Sequence, residues 1–261
     1  MITIDPAGEI TRVRLSYMDS AAEANFARMF EIPRYQDYRP YALLLTNNSG
    51  KAIVAVTIRW TGLSSGRVGV FDSSCSSLLS GAPGGGSSMA SILRPAPGQT
   101  HVQLGQSFVS ANGPAVVADG ERMLVAPGLL AGESLAKQRG TSGGSSSIPQ
   151  GLQSAESITA TIDAVVLEDG QVLGPDASHT VDGLLSRKAA IDGVVNAVRA
   201  AEQRGQDGVE ALRQLANAQP NRDQGPEMRQ QSMIARVLMG SRQWREQLDR
   251  MAALQLPRFY R

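Results

Sequence analysis

The spacing of apolar side chains changes near Gly174, and this change constrains the fold more than any other feature of the sequence. Before Gly174, apolar and polar residues alternate in several short runs, for example in residues 12–17. After it, apolar residues recur at every third or fourth position. A repeat of two is typical of a half-buried strand, and a repeat of 3.6 is typical of an amphipathic helix. The pattern predicts a β domain over residues 1–175 and a helical region over residues 176–261.

Two segments of the first region carry the pattern of a β-hairpin. In residues 41–60, two alternating runs flank NNSG, whose residues tolerate positive φ. In residues 157–173, the alternating run SITATIDAVVL is followed by Asp169–Gly170 and a short return. One face of that run is expected to hold Ile158, Ala160, Ile162, Ala164 and Val166. Shorter runs extend the predicted sheet at 67–71, 99–109 and 115–126.

Strands joined by Gly, Pro, Asn and Asp turns, with no helix between them, argue against βαβ units. They favour an antiparallel β-sandwich. The expected fold class is therefore mainly β, with a sandwich followed by an α-helical C-terminal region. Two stretches rich in Ser and Gly, residues 72–91 and 137–157, interrupt the strands and are predicted to be long mobile loops.

About three amphipathic helices are predicted after Gly174. Asp176 or Ser178 can cap the first helix, and the second occupies residues 207–218. The third has Pro226 at its first position, where a missing N–H does no harm. Each helix must bury its apolar stripe against the sandwich, another helix or another chain. We therefore expect the helical region to pack on the sandwich or to mediate association, including self-association.

Composition excludes several classes of function. The net charge of +1 gives no general attraction to nucleic acid or to an anionic membrane, and aromatic residues are only 5% of the chain. The single cysteine, Cys75, rules out an intramolecular disulfide and a cysteine metal cluster. Glycine-rich residues 81–88 lack the Gly-Lys-Ser/Thr ending of a phosphate loop. No cofactor, metal or membrane-spanning segment is predicted.

The N-terminal sequence has neither the basic nor the apolar region of a secretory signal peptide. This pattern, together with the lone cysteine, predicts a cytoplasmic protein. A periplasmic or secreted location is the alternative, if the sequence is that of a processed form.

Catalysis has weak support in the sequence. The two histidines are His101, in a predicted strand, and His179, beside Asp176 and Ser178 at a predicted helix start. No Gly-x-Ser-x-Gly motif surrounds a serine, and Cys75 has no close cationic neighbour in sequence. A hydrolase whose polar residues meet only in the fold, around His101 or His179, is the alternative to a non-catalytic protein.

The segment PRYQDYRPY gathers tyrosines and arginines, the residue types that are favoured at binding hot spots. It is a candidate partner surface made of Arg34, Tyr35, Tyr38, Arg39 and Tyr41. The competing interpretation, which we favour, is that the tyrosines pack against the sandwich.

Three stretches, YALLLTNNSGKAIVAVTIRW, PAPGQT and SITATIDAVVLEDGQVLGPD, together resemble uncharacterised bacterial immunoglobulin-like β-sandwich proteins. The resemblance covers roughly residues 40–180 and implies an immunoglobulin-like sandwich. It implies no functional residues. The expected function is a non-catalytic binding or scaffold module, whose ligand or protein partner the sequence does not identify.

Overall fold

The structure is a computed structural model that describes residues 2–4, 10, 12–31, 33–65, 67–79, 115–132, 148, 150–218 and 226–261. The described residues form two compact units. The β unit contains those up to Ser77, those from residue 115 to Thr180, and Pro257–Arg261. The helical unit contains Val181–Leu256 with Leu78 and Leu79. The predicted strand at 99–109, including His101, lies outside the described residues.

The strands, in chain order, are β1 (Ile2–Ile4), β2 (Val13–Tyr17), β3 (Leu43–Asn47), β4 (Ile53–Ser64), β5 (Arg67–Ser76), β6 (Arg122–Ala126), β7 (Leu129–Gly132), β8 (Ser157–Leu167) and β9 (Val172–Leu173). The helices are α1 (Ser20–Phe30), α2 (Pro33–Gln36), α3 (Gln150–Gln153), α4 (Thr180–Gln203), α5 (Gly208–Asn217), α6 (Pro226–Met239) and α7 (Trp244–Ala252). A short 3₁₀ helix covers Arg39–Tyr41.

The β unit contains two sheets that share one hydrophobic core. The first sheet has the order β1-β8-β4-β5, with β9 also paired to β8, and the second has the order β2-β3-β6-β7. Helix α1 adds four buried apolar residues to this core: Ala22, Phe26, Met29 and Phe30. The Asp19 side chain caps α1 by accepting the N–H of Ala22 at 2.6 Å.

Ser73 joins the two sheets through buried hydrogen bonds. Its hydroxyl oxygen accepts the indole N–H of Trp60 at 3.0 Å and the backbone N–H of Gly128 at 3.0 Å. The hydroxyl also lies 3.4 Å from the carbonyl oxygen of Ala126. Trp60 and Ser73 belong to the first sheet, whereas Ala126 and Gly128 lie at the end of β6 and in the turn that follows it.

The predicted fold class needs correction, because the chain is not mainly β. Of the described residues, 40% are helical and 31% are in β-structure. The first sheet is also mixed rather than antiparallel, since β1 runs parallel to β8. The predicted hairpin at 157–173 is confirmed: β8 and β9 pair antiparallel across a turn in which Gly170 has φ +91°.

The predicted hairpin at 41–60 is wrong. β3 pairs with β2 and β6 in one sheet, while β4 pairs with β5 and β8 in the other. The NNSG segment therefore crosses between sheets instead of turning back within one. The Asn47 side chain holds this crossing by donating to the carbonyl oxygens of Lys51 at 2.9 Å and Val117 at 3.1 Å.

The predicted loop at 72–91 is wrong over Asp72–Ser76, which form the second half of β5. Its polar side chains can be buried because they are hydrogen bonded. Ser74 accepts from Thr57 at 2.9 Å, and Ser76 donates to the carbonyl oxygen of Val54 at 3.2 Å. The remainder of that loop, from residue 80, lies outside the described residues, as do residues 137–147 and 149 of the second loop. The loop prediction at 137–157 is wrong over Gln150–Gln153, which form α3.

The predicted number of C-terminal helices is too low, since this region of the structure holds α4, α5, α6 and α7. The third predicted helix is divided in two, because a break at Gly240–Gln243 separates α6 from α7. Within the described ranges, no helix has both the length and the apolar character needed to cross a membrane.

Candidate functional site

A β-bulge in β8 turns Asp163 away from the regular pattern. Thr57 pairs with Ala164 and Ile58 with Ile162, so the register with β4 skips Asp163. An extra residue of this kind bends a strand and redirects side chains. Beyond the bulge the core-facing series changes. It reads Ile158, Ala160, Ile162, Val165 and Leu167, so the sequence prediction that Ala164 and Val166 continue the same face is wrong.

Asp163 fixes the turn that leads from β9 into α4. Its carboxylate accepts the backbone N–H groups of Ala177 at 3.1 Å and Ser178 at 2.9 Å. Its carbonyl oxygen accepts the N–H of Asp176 at 2.8 Å. Hydrogen bonds to a carboxylate are among the stronger ones in proteins. Because Asp163 is 1% exposed, the turn is tied directly to the interior of the β unit.

Arg59 lies between two buried carboxylates. It donates to Asp72 through Nε at 2.9 Å and Nη2 at 3.1 Å, and its Nη1 lies 3.6 Å from Asp163. Burial favours the neutral form of Asp72 and raises the pKa of that carboxyl, although Arg59 opposes this effect. Burial alone would lower the pKa of Arg59, but the hydrogen bond and the charge of Asp72 outweigh it, so that the pKa of Arg59 is raised.

A chain of four buried hydroxyl groups runs beside this ion pair. Thr57 Oγ1 lies 2.9 Å from Ser74 Oγ and 2.7 Å from Thr180 Oγ1, and Thr180 Oγ1 lies 2.9 Å from Ser178 Oγ. All four residues are less than 5% exposed. The chain connects β5 and β4 to the first residue of α4.

Two non-glycine residues near the start of α4 have left-handed backbone conformations. Asp176 has φ +52° and His179 has φ +57°. Asp and His adopt this region more readily than most side chains, and such residues collect at functional sites as well as in tight turns. Asp176 Oδ1 accepts the N–H of Thr180 at 2.6 Å, so this strained turn also caps α4. The Asp176 side chain thus satisfies the first N–H of α4, although it lies three residues before the N-cap position of a helix that begins at Thr180.

The arrangement around Ser178 is that of a fixed turn rather than of an exposed nucleophile. Ser178 is 1% exposed and its hydroxyl is bonded to Thr180, whereas His179 beside it is exposed. The structure does not describe His101, so the hydrolase alternative stays a prediction. Among the residues that the structure describes, no three His, Cys, Asp or Glu side chains are grouped to hold a metal ion.

Cys75 lies in the core at 1% exposure. Burial in apolar surroundings raises the pKa of its thiol well above the ordinary value. Because the thiolate is the reactive form, this residue has the environment of a structural cysteine.

The candidate tyrosine surface is divided between the core and the solvent. Tyr38 is 1% exposed, and its ring centroid lies 6.5 Å from that of Tyr35. Tyr35 and Tyr41 are partly buried against the same core. The Arg39 side chain is 66% exposed and lies 3.9 Å from Glu23, whereas the Arg34 side chain lies outside the described residues. A partner surface at this segment stays a prediction.

A second cluster lies at the end of the β8–β9 hairpin, and sequence reasoning missed it. Asp169 Oδ2 accepts from Lys51 Nζ at 2.5 Å and from the Tyr260 hydroxyl at 2.6 Å. The hydrogen bond from Lys51, followed by those from Tyr260 and the Gln171 N–H, lowers the pKa of Asp169 to about 2. In the sequence Asp169 is only a turn residue, and nothing near Tyr260 indicates its distant partner.

Residues 257–261, named the strap from here on, bring Tyr260 to this hairpin. The Val172 N–H donates to the Tyr260 carbonyl oxygen at 2.7 Å, and the Tyr260 N–H donates to the Gly170 carbonyl oxygen at 3.1 Å. Arg261 Nη2 lies 3.5 Å from the carbonyl oxygen of Pro175. The strap thereby returns the chain to the turn that precedes α4.

Comparison with known proteins yields no relative. No family model matches this chain, and neither a curated protein nor a solved structure matches it.

Proposed function

We propose that this chain is a non-catalytic binding or scaffold module. The proposal rests on one observation: the buried polar side chains near the start of α4 are hydrogen bonded to other groups of the same chain. The carboxylates of Asp163 and Asp72 are taken by backbone N–H groups and by Arg59, and the Ser178 hydroxyl is taken by Thr180. These groups stabilise the β unit and its exit into α4.

The proposed binding surface lies on helix α6. Met233 and Val237 are 50% and 42% exposed, and they are one helical turn apart on the same face. Methionine adapts its shape to a partner and is common on binding surfaces. Arg229 and Arg236 are exposed on the same side of the helix as Met233, and Arg236 also donates through Nε to the carbonyl oxygen of Ala216 at 2.9 Å.

These charges favour an acidic partner over a second copy of the helix. In an antiparallel pair centred on Met233, Arg229 of one copy would lie beside Val237 and Arg236 of the other. The two arginines would then repel each other. A parallel pair would place identical arginines together. The complement of this face is an amphipathic helix with apolar residues every third or fourth position and carboxylates beside them.

Binding of synthetic peptides tests the surface on the full chain. The probe is a labelled helical peptide with leucines at this spacing and flanking glutamates, and its matched control has lysines in place of the glutamates. We expect the glutamate peptide to bind at least about tenfold more tightly, since each tenfold step needs only about 1.4 kcal/mol. The variant Arg229→Glu should reduce the preference for the glutamate peptide, and Met233→Glu should weaken both peptides.

Equal affinity for the two peptides, or affinity that Met233→Glu leaves unchanged, would reject this surface. Sedimentation of the chain alone over a concentration series measures self-association. If Met233→Glu abolishes that self-association, it occurs through α6. A fluorophosphonate probe separates the hydrolase alternative from the proposal. We expect no labelling of the native chain, and a labelled serine would contradict a non-catalytic function.

The immunoglobulin-like resemblance of residues 40–180 belongs to the same proposal, and two sheets around one core support it. The proposed location is the cytoplasm, supported by the unpaired thiol of Cys75.

A further inference from the structure

The end of the β8–β9 hairpin is shaped to receive an extended segment. Gly170 has φ +91°, and a Cβ atom there would lie 2.3 Å from the Arg258 carbonyl oxygen. Only a residue without a side chain lets the strap pass this closely. The backbone groups of Gly170 and Val172 supply one acceptor and one donor to the segment that passes.

A charged pair at the hairpin end binds the side chain of the strap. Asp169 accepts the Tyr260 hydroxyl at 2.6 Å while Lys51 holds the same carboxylate at 2.5 Å. A phenol hydroxyl at this distance makes a short, charge-assisted hydrogen bond. These contacts combine backbone hydrogen bonds with one selected side chain, which is the mode of β-strand addition.

No residue of the strap is fully buried. Tyr260 is 46% exposed, and residues 254–259 have no regular secondary structure. Segments with little buried apolar area open at low free-energy cost without unfolding the rest of the molecule. Opening the strap would leave the Val172 N–H and the Gly170 carbonyl unpaired at the sheet edge, ready for another strand.

We propose that this hairpin end is a docking site for a tyrosine-bearing extended segment, and that the strap of a second copy can occupy it in place of the chain's own. Exchange of identical segments is a low-cost route to a dimer, because both forms make the same contacts. The chain's own strap competes at an effective concentration of about 1 mM. The inference goes beyond the proposed function, because it concerns the β unit and does not depend on α6.

A complementation experiment removes that competition. The acceptor is the full-length variant Tyr260→Pro, labelled with ¹⁵N. This variant lacks the N–H that donates to the Gly170 carbonyl oxygen and the hydroxyl that donates to Asp169. The donor is unlabelled Gly170→Ala, whose own site is blocked and whose strap is free. Donor is added to about 1 mM, the scale set by a tethered segment, and the Val172 amide is followed by NMR.

We expect the Val172 cross-peak of the acceptor to move toward its wild-type position with saturation. Its hydrogen exchange should slow by at least about tenfold, as for an amide that regains a partner. The matched control donor carries Gly170→Ala and Tyr260→Pro together, so it offers no intact strap and should cause no shift.

No movement of the Val172 peak with a folded donor, or equal movement with the control donor, would overturn the proposal. The amide spectrum of the donor establishes that it is folded. If Gly170→Ala does not fold, Asp169→Asn serves as the donor, because it weakens the hold on Tyr260 without changing the backbone. A negative result leaves peptide binding at α6 unaffected, so the two proposals fail separately.

Discussion

Replacing Arg59 by methionine tests whether the buried ion pair holds the β unit together. The Asp72 side chain is 1% exposed and receives two hydrogen bonds from Arg59. Removal of one partner leaves a buried charge without compensation, which costs about 3–5 kcal/mol in other proteins. Because the Arg59 side chain is 23% exposed, water can partly take its place. We therefore expect a loss of about 3 kcal/mol in the free energy of unfolding, the lower end of that range.

The double variant Arg59→Met/Asp72→Leu is the matched control. It replaces the pair with apolar side chains instead of leaving one charge behind, so it should recover most of the lost stability. Recovery would show that the penalty in the single variant comes from the Asp72 carboxylate and not from the missing arginine stem.

The pH dependence provides a second signature. Burial already raises the pKa of Asp72 in the folded protein, and removal of Arg59 should raise it further. A carboxyl whose pKa is raised on folding favours the folded state below its unfolded pKa of about 3.9, and this advantage is lost as the pH rises through the folded value. The single variant should therefore lose stability more steeply than the wild type above about pH 4, and the double variant should lack this slope.

Urea unfolding followed by Trp60 fluorescence measures these changes, in a Trp244→Phe background that leaves one indole. Trp60 is fully buried in the core of the β unit, so it reports on the same unit as Arg59. A loss below about 1 kcal/mol at neutral pH, the size expected of a surface pair, would refute the reasoning. A double variant as unstable as the single variant would refute it equally.

Three further substitutions and one labelling experiment have defined outcomes. Ser73→Ala should lower the free energy of unfolding by about 1–3 kcal/mol, because it removes the hydroxyl that accepts the Trp60 indole N–H and the Gly128 backbone N–H. An unchanged melting temperature would contradict this. Gly174→Ala should cost more than about 2 kcal/mol in urea, since φ is +94° and the new Cβ would lie 2.6 Å from a carbonyl oxygen. Gly205→Ala, with φ +74° and open space, should cost about 1 kcal/mol, and equal losses would argue against the steric term. Cys75 should react with a thiol reagent at pH 8 only after unfolding, and rapid labelling of the native chain would disprove its burial.

Local patterns predicted the elements better than their pairing. The β8–β9 hairpin was predictable because a short turn at Asp169–Gly170 joins its two strands. Residues that pair across this turn are therefore also close in sequence. Alternation in residues 41–60 correctly indicated strands, but it specifies which face is buried and not which strand lies alongside. Leu45 pairs with Met123, and that choice depends on contacts far apart in sequence.

The site depends on irregularities that periodicity does not encode. Asp163 interrupts an apolar run, and this was the available signal for the bulge that reverses the faces of β8 after it. The serines of β5 concealed a strand, since their burial requires hydrogen-bond partners such as Thr57 that the sequence does not identify. Lys51, Asp169 and Tyr260 are brought together only by the folded chain.

The return of the strap to the β8–β9 hairpin has a consequence for synthesis on the ribosome. The β unit is continuous in space but interrupted in sequence by residues 181–256. At about 5–20 residues per second, translation of that interval takes about 4–15 s. During this time the hairpin end at Gly170 and Val172 emerges without the strap, so the nascent chain passes through a stage in which these backbone groups are open to chaperones or to neighbouring nascent chains.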